Sequence, residues 1–236
     1  MMRTPNALFP ALLLAVSGLT GLSMTACRNA ASTSAIAGEP DAHHETTTAR
    51  VRRTVGVDPG HAGDGTPLTP APGHALAAFS AGCFWGVEDN FRQVPGVTAT
   101  AVGYTGGHTE HPSYEAVCTH TTGHAETVLV EFDPTVVPYE TLLTVFFKNH
   151  DPTTKNRQGP DVGDQYRSAI FTFSPEQAAT ARAAMEKEQA AHPKPIVTAI
   201  APAGPFWKAE EYHQQYDEKT GTHSCPLPRG LTPQGS

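Results

Sequence analysis

The chain has 236 residues, 39% apolar and 17% charged, which suits one packed domain with appendages and needs no membrane-spanning body. Its 16 Lys and Arg against 23 Asp and Glu leave a formal charge of −7, which excludes a nucleic-acid binder, because that role needs a cationic surface to displace counterions. No run of like charges marks an interaction tail.

The N-terminus reads as an address. Arg3 precedes the largely apolar run Ala7 to Leu22, the n-region and h-region of a secretory signal, and Pro10 makes that run a poor permanent span. Met24-Thr25-Ala26-Cys27 resembles the lipobox of bacterial lipoproteins, with Met in place of the usual Leu. Residues 1–27 are therefore expected to direct export, with Cys27 either lipidated or incidental to ordinary cleavage nearby. Residues 28–73, rich in Ala, Thr, Gly, Pro and His, hold too little apolar surface to offset ordering entropy and are expected to form a flexible tether. Residues 74–236 are expected to hold the folded domain.

Within that domain, Ala75 to Ala81 reads as a buried strand and Val87 to Phe91 as part of a helix ending before Pro95-Gly96. Val97 to Tyr104 predicts a second strand. His124 to Asp133, with Val128, Val130 and Phe132 at period two, predicts a half-buried third. Pro138 opens a helix with Leu142, Leu143, Val145 and Phe146 on its apolar side, and Arg167 to Phe173 follows as a strand. Ser174-Pro175-Glu176-Gln177 caps a helix that runs to about Gln189. Ile196 to Ile200 is expected as a last strand and Phe206 to Tyr216 as a last short helix, followed by a mobile polar tail. The order predicts an α+β fold: a mixed sheet built on a split β-α-β, ferredoxin-like core, with extra helices and a long C-terminal coil.

Four cysteines are present, Cys27, Cys83, Cys118 and Cys225, with no C-x-x-C pair among them; twelve histidines are scattered without ligand spacing, so no metal site is expected. Glycine-rich stretches lack dinucleotide or phosphate-loop spacing, and no cofactor is expected. Cys83 sits at a strand-to-helix junction, where helix N–H groups favour a thiolate, between Gly82 and the aromatic pair Phe84-Trp85. On position alone, a nucleophile and a small buried core cysteine are equally good readings.

Gly82-Cys83-Phe84-Trp85-Gly86 resembles the signature of the methionine sulfoxide reductase A family. Gly103-Tyr104-Thr105-Gly106-Gly107, Pro112-Ser113-Tyr114, Thr122-Gly123-His124-Ala125-Glu126, Asn149-His150-Asp151-Pro152, Gln165-Tyr166-Arg167-Ser168 and His213-Gln214-Gln215-Tyr216 resemble the family in the same order, over about Ala75 to Cys225. The resemblance implies reduction of the S epimer of methionine sulfoxide, free or in proteins. It implies that Cys83 attacks sulfur, that Glu126 protonates oxygen, and that the Tyr114 and Tyr166 hydroxyls hold that oxygen. Phe84 and Trp85 would hold the substrate methyl, and Asp161 would lie near the site in a less defined role. Without the resemblance, Glu126 is a strand carboxylate, the tyrosines are half-buried and Asp161 is a turn residue.

Attack leaves a sulfenic acid on Cys83, which a second thiol condenses to a disulfide. The resemblance makes Cys225 that thiol and implies a thioredoxin-like dithiol partner, outside the cytoplasm if the chain is exported. No cysteine follows Cys225, which departs from members carrying a further one and implies a two-cysteine relay. Cys118 is expected to pack as a small hydrophobe. The competing readings are a surface-tethered binding module with structural cysteines, and a thiol peroxidase.

Overall fold

The computed structural model describes residues 54–224. Its elements in chain order are β1 (Ala75–Ala81), α1 (Phe84–Arg92), β2 (Val97–Thr105), α2 (Tyr114–Cys118), β3 (Ala125–Phe132), α3 (Tyr139–Lys148), β4 (Arg157–Gln158), β5 (Asp161–Val162), β6 (Ser168–Thr172), α4 (Pro175–Gln189), β7 (Ala199–Pro202), β8 (Trp207–Lys208) and α5 (Tyr216–Thr220). The large sheet has the order β7-β6-β1-β3-β2-β8, while β4 and β5 form a separate hairpin. Strands β6, β1, β3 and β2 pair antiparallel, with α1 and α3 as crossovers, which is the expected ferredoxin-like core. Strand β7 runs parallel to β6, so the sheet is mixed.

Helices α1, α3 and α4 cover one face, where Phe79, Phe91, Val128, Val130, Leu142, Phe146 and Ala181 form the main core. The other face is also covered. Ala78, Leu129, Phe171 and Phe206 pack there with Ala62 and Leu68 from the segment preceding β1. Every residue of β3 is therefore buried, rather than alternate ones. An antiparallel strand shows period-two burial only when one face meets water.

Part of the expected tether is thus built into the fold. Gly56 bridges Ala99 and Asp64 bridges Trp207. The Gly60 N–H donates to Glu131 at 2.7 Å, and the Ala71 N–H and His74 Nδ1 reach the same carboxylate. Few large apolar residues suffice because bridges and hydrogen bonds to the sheet hold the segment in place. The signal sequence, the lipobox and the tether up to residue 53 lie outside the described residues, as does the tail from Cys225 onward.

Two other expectations change. Phe206 to Tyr216 is not a helix: Trp207 and Lys208 pair with Tyr104 and Gly103 at the free edge of β2. The Gln214 amide continues that edge, accepting from Val102 N–H and donating to the Val102 and Ala209 carbonyls. Gln215, at φ 49°, then turns left-handed. The polar segment after Tyr216 forms α5 and stays packed as far as Ser224. The last strand starts later than expected, at Ala199, and Asp161 lies on β5 rather than in a bare turn.

Candidate active site

Strand β1 ends at Ala81, and Gly82 reverses the chain at φ 100°. A Cβ on Gly82 would stand 2.7 Å from the Gln158 side chain, so both the turn and the packing require glycine. Gln158 is itself locked, accepting from the Asp151 N–H and donating to the Asp151 carbonyl. Cys83 follows as the N-cap of α1 and is partly exposed.

The next N–H of the helix, from Phe84, donates to Glu126 at 3.1 Å. Glu126 is the second residue of β3 and only 2% exposed. Burial pushes its carboxyl up to about 8, with the Phe84 N–H pulling the other way and Asp161 pushing further up. Glu126 therefore carries a proton at neutral pH, beside the helix terminus that also presents Cys83.

Tyr166 closes a short turn ahead of β6. Its phenol is raised to about 12 by burial and by the acidic groups Glu126, Asp161, Cys118 and Cys83 around it, which ionise before it does. Tyr114 opens α2, whose cap Ser113 accepts the Ala116 N–H. Its phenol is also pushed up, by burial and by its bond to the Cys118 thiol, with Glu126 and Tyr166 close by. Both tyrosines remain O–H donors across the physiological range. Asp161 is raised by burial. The expected Cys83, Tyr114, Glu126, Asp161 and Tyr166 thus come together at the N-terminus of α1.

Trp85 forms one wall. Its indole N–H donates to His213 Nδ1 at 3.0 Å, and its ring stacks on Tyr216 with centroids 3.9 Å apart. Phe84 is buried behind it, against Tyr104 and the His213 ring. His213 also meets Tyr114 and Tyr212. Burial lowers its pKa, so the imidazole is neutral and Nδ1 accepts.

Several residues here had no role assigned from sequence. His213 and Glu210 are two; Glu210 accepts from the Tyr114 N–H and the Tyr104 hydroxyl and so ties α2 to β2. The family-like series containing His213 was the available signal; for Glu210 there was none. Cys118 does not pack as a small hydrophobe: it is partly exposed and hydrogen-bonded to the Tyr114 hydroxyl, because α2 turns it toward the site. His124 braces the rim, accepting the Gly107 N–H and donating to the Thr109 carbonyl. Cys225 and Cys27 lie outside the described residues. Among the described residues no group of three His, Cys, Asp or Glu side chains is placed to hold a metal ion.

The family profile of peptide methionine sulfoxide reductase matches residues 75–233. The chain belongs to this family. It is 60% identical over 151 residues to the peptide methionine sulfoxide reductase MsrA of Geobacter sulfurreducens, covering 63% of this chain and 93% of that one. To the MsrA of Methanoculleus marisnigri it is 57% identical over 160 residues, 67% of this chain and 98% of the relative. Among solved structures, methionine sulfoxide reductase A of Corynebacterium diphtheriae matches with a TM-score of 0.62 at 40% identity, covering 71% of this chain and 85% of that one. Mxr1 from Saccharomyces cerevisiae in reduced form matches at 0.63 and 36%, covering 66% and 92%. The chain is a thiol-dependent peptide-methionine (S)-S-oxide reductase of α+β fold.

Proposed function

We propose that Cys83 attacks the sulfoxide sulfur while Glu126 delivers a proton to its oxygen. The observation that carries this is the buried Glu126 carboxyl, held at about 8 and fixed to the Phe84 N–H one residue from the nucleophile. A sulfoxide oxygen leaves sulfur only when protonated, and a carboxyl that titrates near working pH suits that task. The Tyr114 and Tyr166 hydroxyls donate to the same oxygen, Trp85 with Phe84 behind it receives the methyl group, and Asp161 raises Glu126. Sulfoxide and thiol thus become methionine and a sulfenic acid on Cys83.

The second half of the cycle is a disulfide with Cys225, which displaces water and which a thioredoxin-like dithiol then reduces. Across the cycle, one sulfoxide and two thiols of the reductant yield methionine, one disulfide and water. Repair of oxidised methionine is the physiological outcome, on free or protein-bound substrate. The apolar run Ala7 to Leu22 and the Met24-Thr25-Ala26-Cys27 tetrapeptide support export and a lipid anchor on Cys27, with the reductant outside the cytoplasm. Metabolic labelling with a fatty acid, for the chain and Cys27→Ala, tests the anchor; equal labelling of the two disproves it.

The central test is epimer-resolved turnover of a methionine sulfoxide peptide with dithiothreitol. The S epimer is consumed by the wild type, Cys83→Ser is inactive, and Cys225→Ser turns over with dithiothreitol but not with a dithiol protein. Full activity of Cys83→Ser would remove it as the nucleophile.

A further inference from the structure

Two residues of one short segment grip Trp85. His213 accepts its indole N–H, and Tyr216 stacks on its ring. The chain between them turns at Gln215, whose φ of 49° and ψ of 40° are left-handed. Side chains disfavour that backbone, because Cβ crowds the following carbonyl oxygen. The turn that closes the grip therefore needs a hold from outside the segment.

Glu88 supplies it. It lies three residues after Trp85, on the same side of α1, and is 0% exposed. One carboxylate oxygen accepts the Gln215 backbone N–H at 2.7 Å, and the other accepts the Gln215 side-chain amide at 2.8 Å. The Thr100 hydroxyl of β2 donates to that second oxygen at 2.9 Å, while its own oxygen accepts from Arg92 at 3.0 Å. All three partners donate, so only a group that accepts at both oxygens satisfies them. Burial pulls the Glu88 pKa up, while these bonds and the Arg92 charge favour the ionised form. Nothing in the reaction touches this carboxylate, yet it is buried at a place where an apolar side chain would cost less.

We propose that Glu88 is a positioning residue for substrate binding: it holds Gln215 in the left-handed turn, so that His213 and Tyr216 keep Trp85 fixed against the substrate methyl group. This rests on the reading of Trp85 as the wall that receives that methyl. Glu88→Gln keeps the volume but replaces one acceptor oxygen with an NH2 group, which faces a Gln215 N–H in either orientation. A buried donor left without its acceptor weakens the turn by about tenfold. Apparent affinity falls with the fraction of molecules in which the wall is held.

The experiment is a reductant-free single turnover of the full chain at increasing concentrations of a methionine sulfoxide peptide. The methionine burst gives a half-saturating concentration and a limiting rate for each variant. Acrylamide quenching reports how tightly the wall is held, in a Trp207→Phe background that leaves Trp85 as the single tryptophan. In Glu88→Gln half-saturation should rise about tenfold, with the limiting rate within about twofold of wild type and quenching increased about twofold. Gln215→Ala keeps the backbone bond and should shift half-saturation about threefold, which serves if Glu88→Gln folds poorly. Glycine takes the left-handed turn unaided, so Glu88→Gln combined with Gln215→Gly should return to within about threefold of wild type. Wild-type half-saturation and quenching in folded Glu88→Gln, or in Gln215→Ala where Glu88→Gln does not fold, overturn the positioning role. A double variant no better than Glu88→Gln overturns it as well. Increased quenching with unchanged half-saturation overturns instead the reading of Trp85 as the substrate wall.

Discussion

Trp85 and His213 stand 128 residues apart in the chain and are joined by one bond, the indole N–H to Nδ1 at 3.0 Å. The bond requires a neutral imidazole, which burial secures by lowering the His213 pKa. It fixes the half-buried aromatic wall of the site from a segment to which no reacting group is assigned. His213→Ala leaves the indole N–H without its acceptor and opens a void between Phe84, Tyr114 and Tyr212. The expected outcome is a loss of about 2–3 kcal/mol in stability and a kcat/KM about tenfold lower, mostly through KM. Thermal unfolding and steady-state kinetics measure both.

The proposed role of Glu126 as proton donor places the upper pH limit of the chemical step on its carboxyl. Because burial raises its carboxyl to about 8, the proton needed by the leaving oxygen is present below that pH and lost above it. The rate of the methionine burst should fall with a one-proton slope through about pH 8. Glu126→Gln, which donates a hydrogen bond but transfers no proton, should lower the burst rate by roughly 10²–10⁴ and abolish that limb. A limb that persists in Glu126→Gln would assign the titration to another group. For stability the sign is the same: a raised carboxyl favours the fold at low pH, and this contribution is lost as pH rises toward 8.

Three buried histidines act in the opposite sense. His150, bonded to the Phe146 carbonyl and Ser168 hydroxyl, is lowered by burial to about 4, and His124 and His213 are lowered as well. Each is neutral in the fold and takes up a proton more readily when unfolded. Their contribution is complete above pH 6.5 and declines as pH falls below it, on the order of 3 kcal/mol for His150 by pH 4. Melting temperature should therefore drop between pH 6.5 and 4, and His150→Gln should flatten the slope.

The segment before β1 belongs to the folded unit. Glu131 gathers the Gly60 and Ala71 N–H groups and His74, and these bonds hold its carboxyl below the usual range despite burial. Leu68 and Ala62 cover the second sheet face. A chain beginning at Ala75 should melt at least several degrees lower than one beginning at Thr54, with Glu131→Ala costing about 2–4 kcal/mol. Equal melting temperatures for the two truncations would show that the segment contributes nothing.

What the sequence determined by itself is local or repeated along the chain. The apolar run of β1, the apolar side of α3, the Ser174-Pro175 cap and the strand-to-helix junction at Cys83 were legible because each is decided within a few residues. The collinear family-like motifs singled out Cys83, Tyr114, Glu126, Asp161 and Tyr166, which the fold places around one helix terminus. Tertiary structure alone decided the features that depend on a distant partner. Residues 54–73 pack because the sheet offers an apolar face and Glu131 offers an acceptor. Residues 206–216 look helical, but the open edge of β2 competes for their backbone hydrogen bonds and wins. Cys118 faces the site because α2 rotates it toward Tyr114, and Glu126 keeps its proton because β3 is covered on both faces. Burial and long-range hydrogen bonding produce the outcomes at residues 54–73, residues 206–216 and Glu126, which depend on groups far apart in the chain, whereas the Cys118 bond lies within α2 and only the placement of that helix is tertiary.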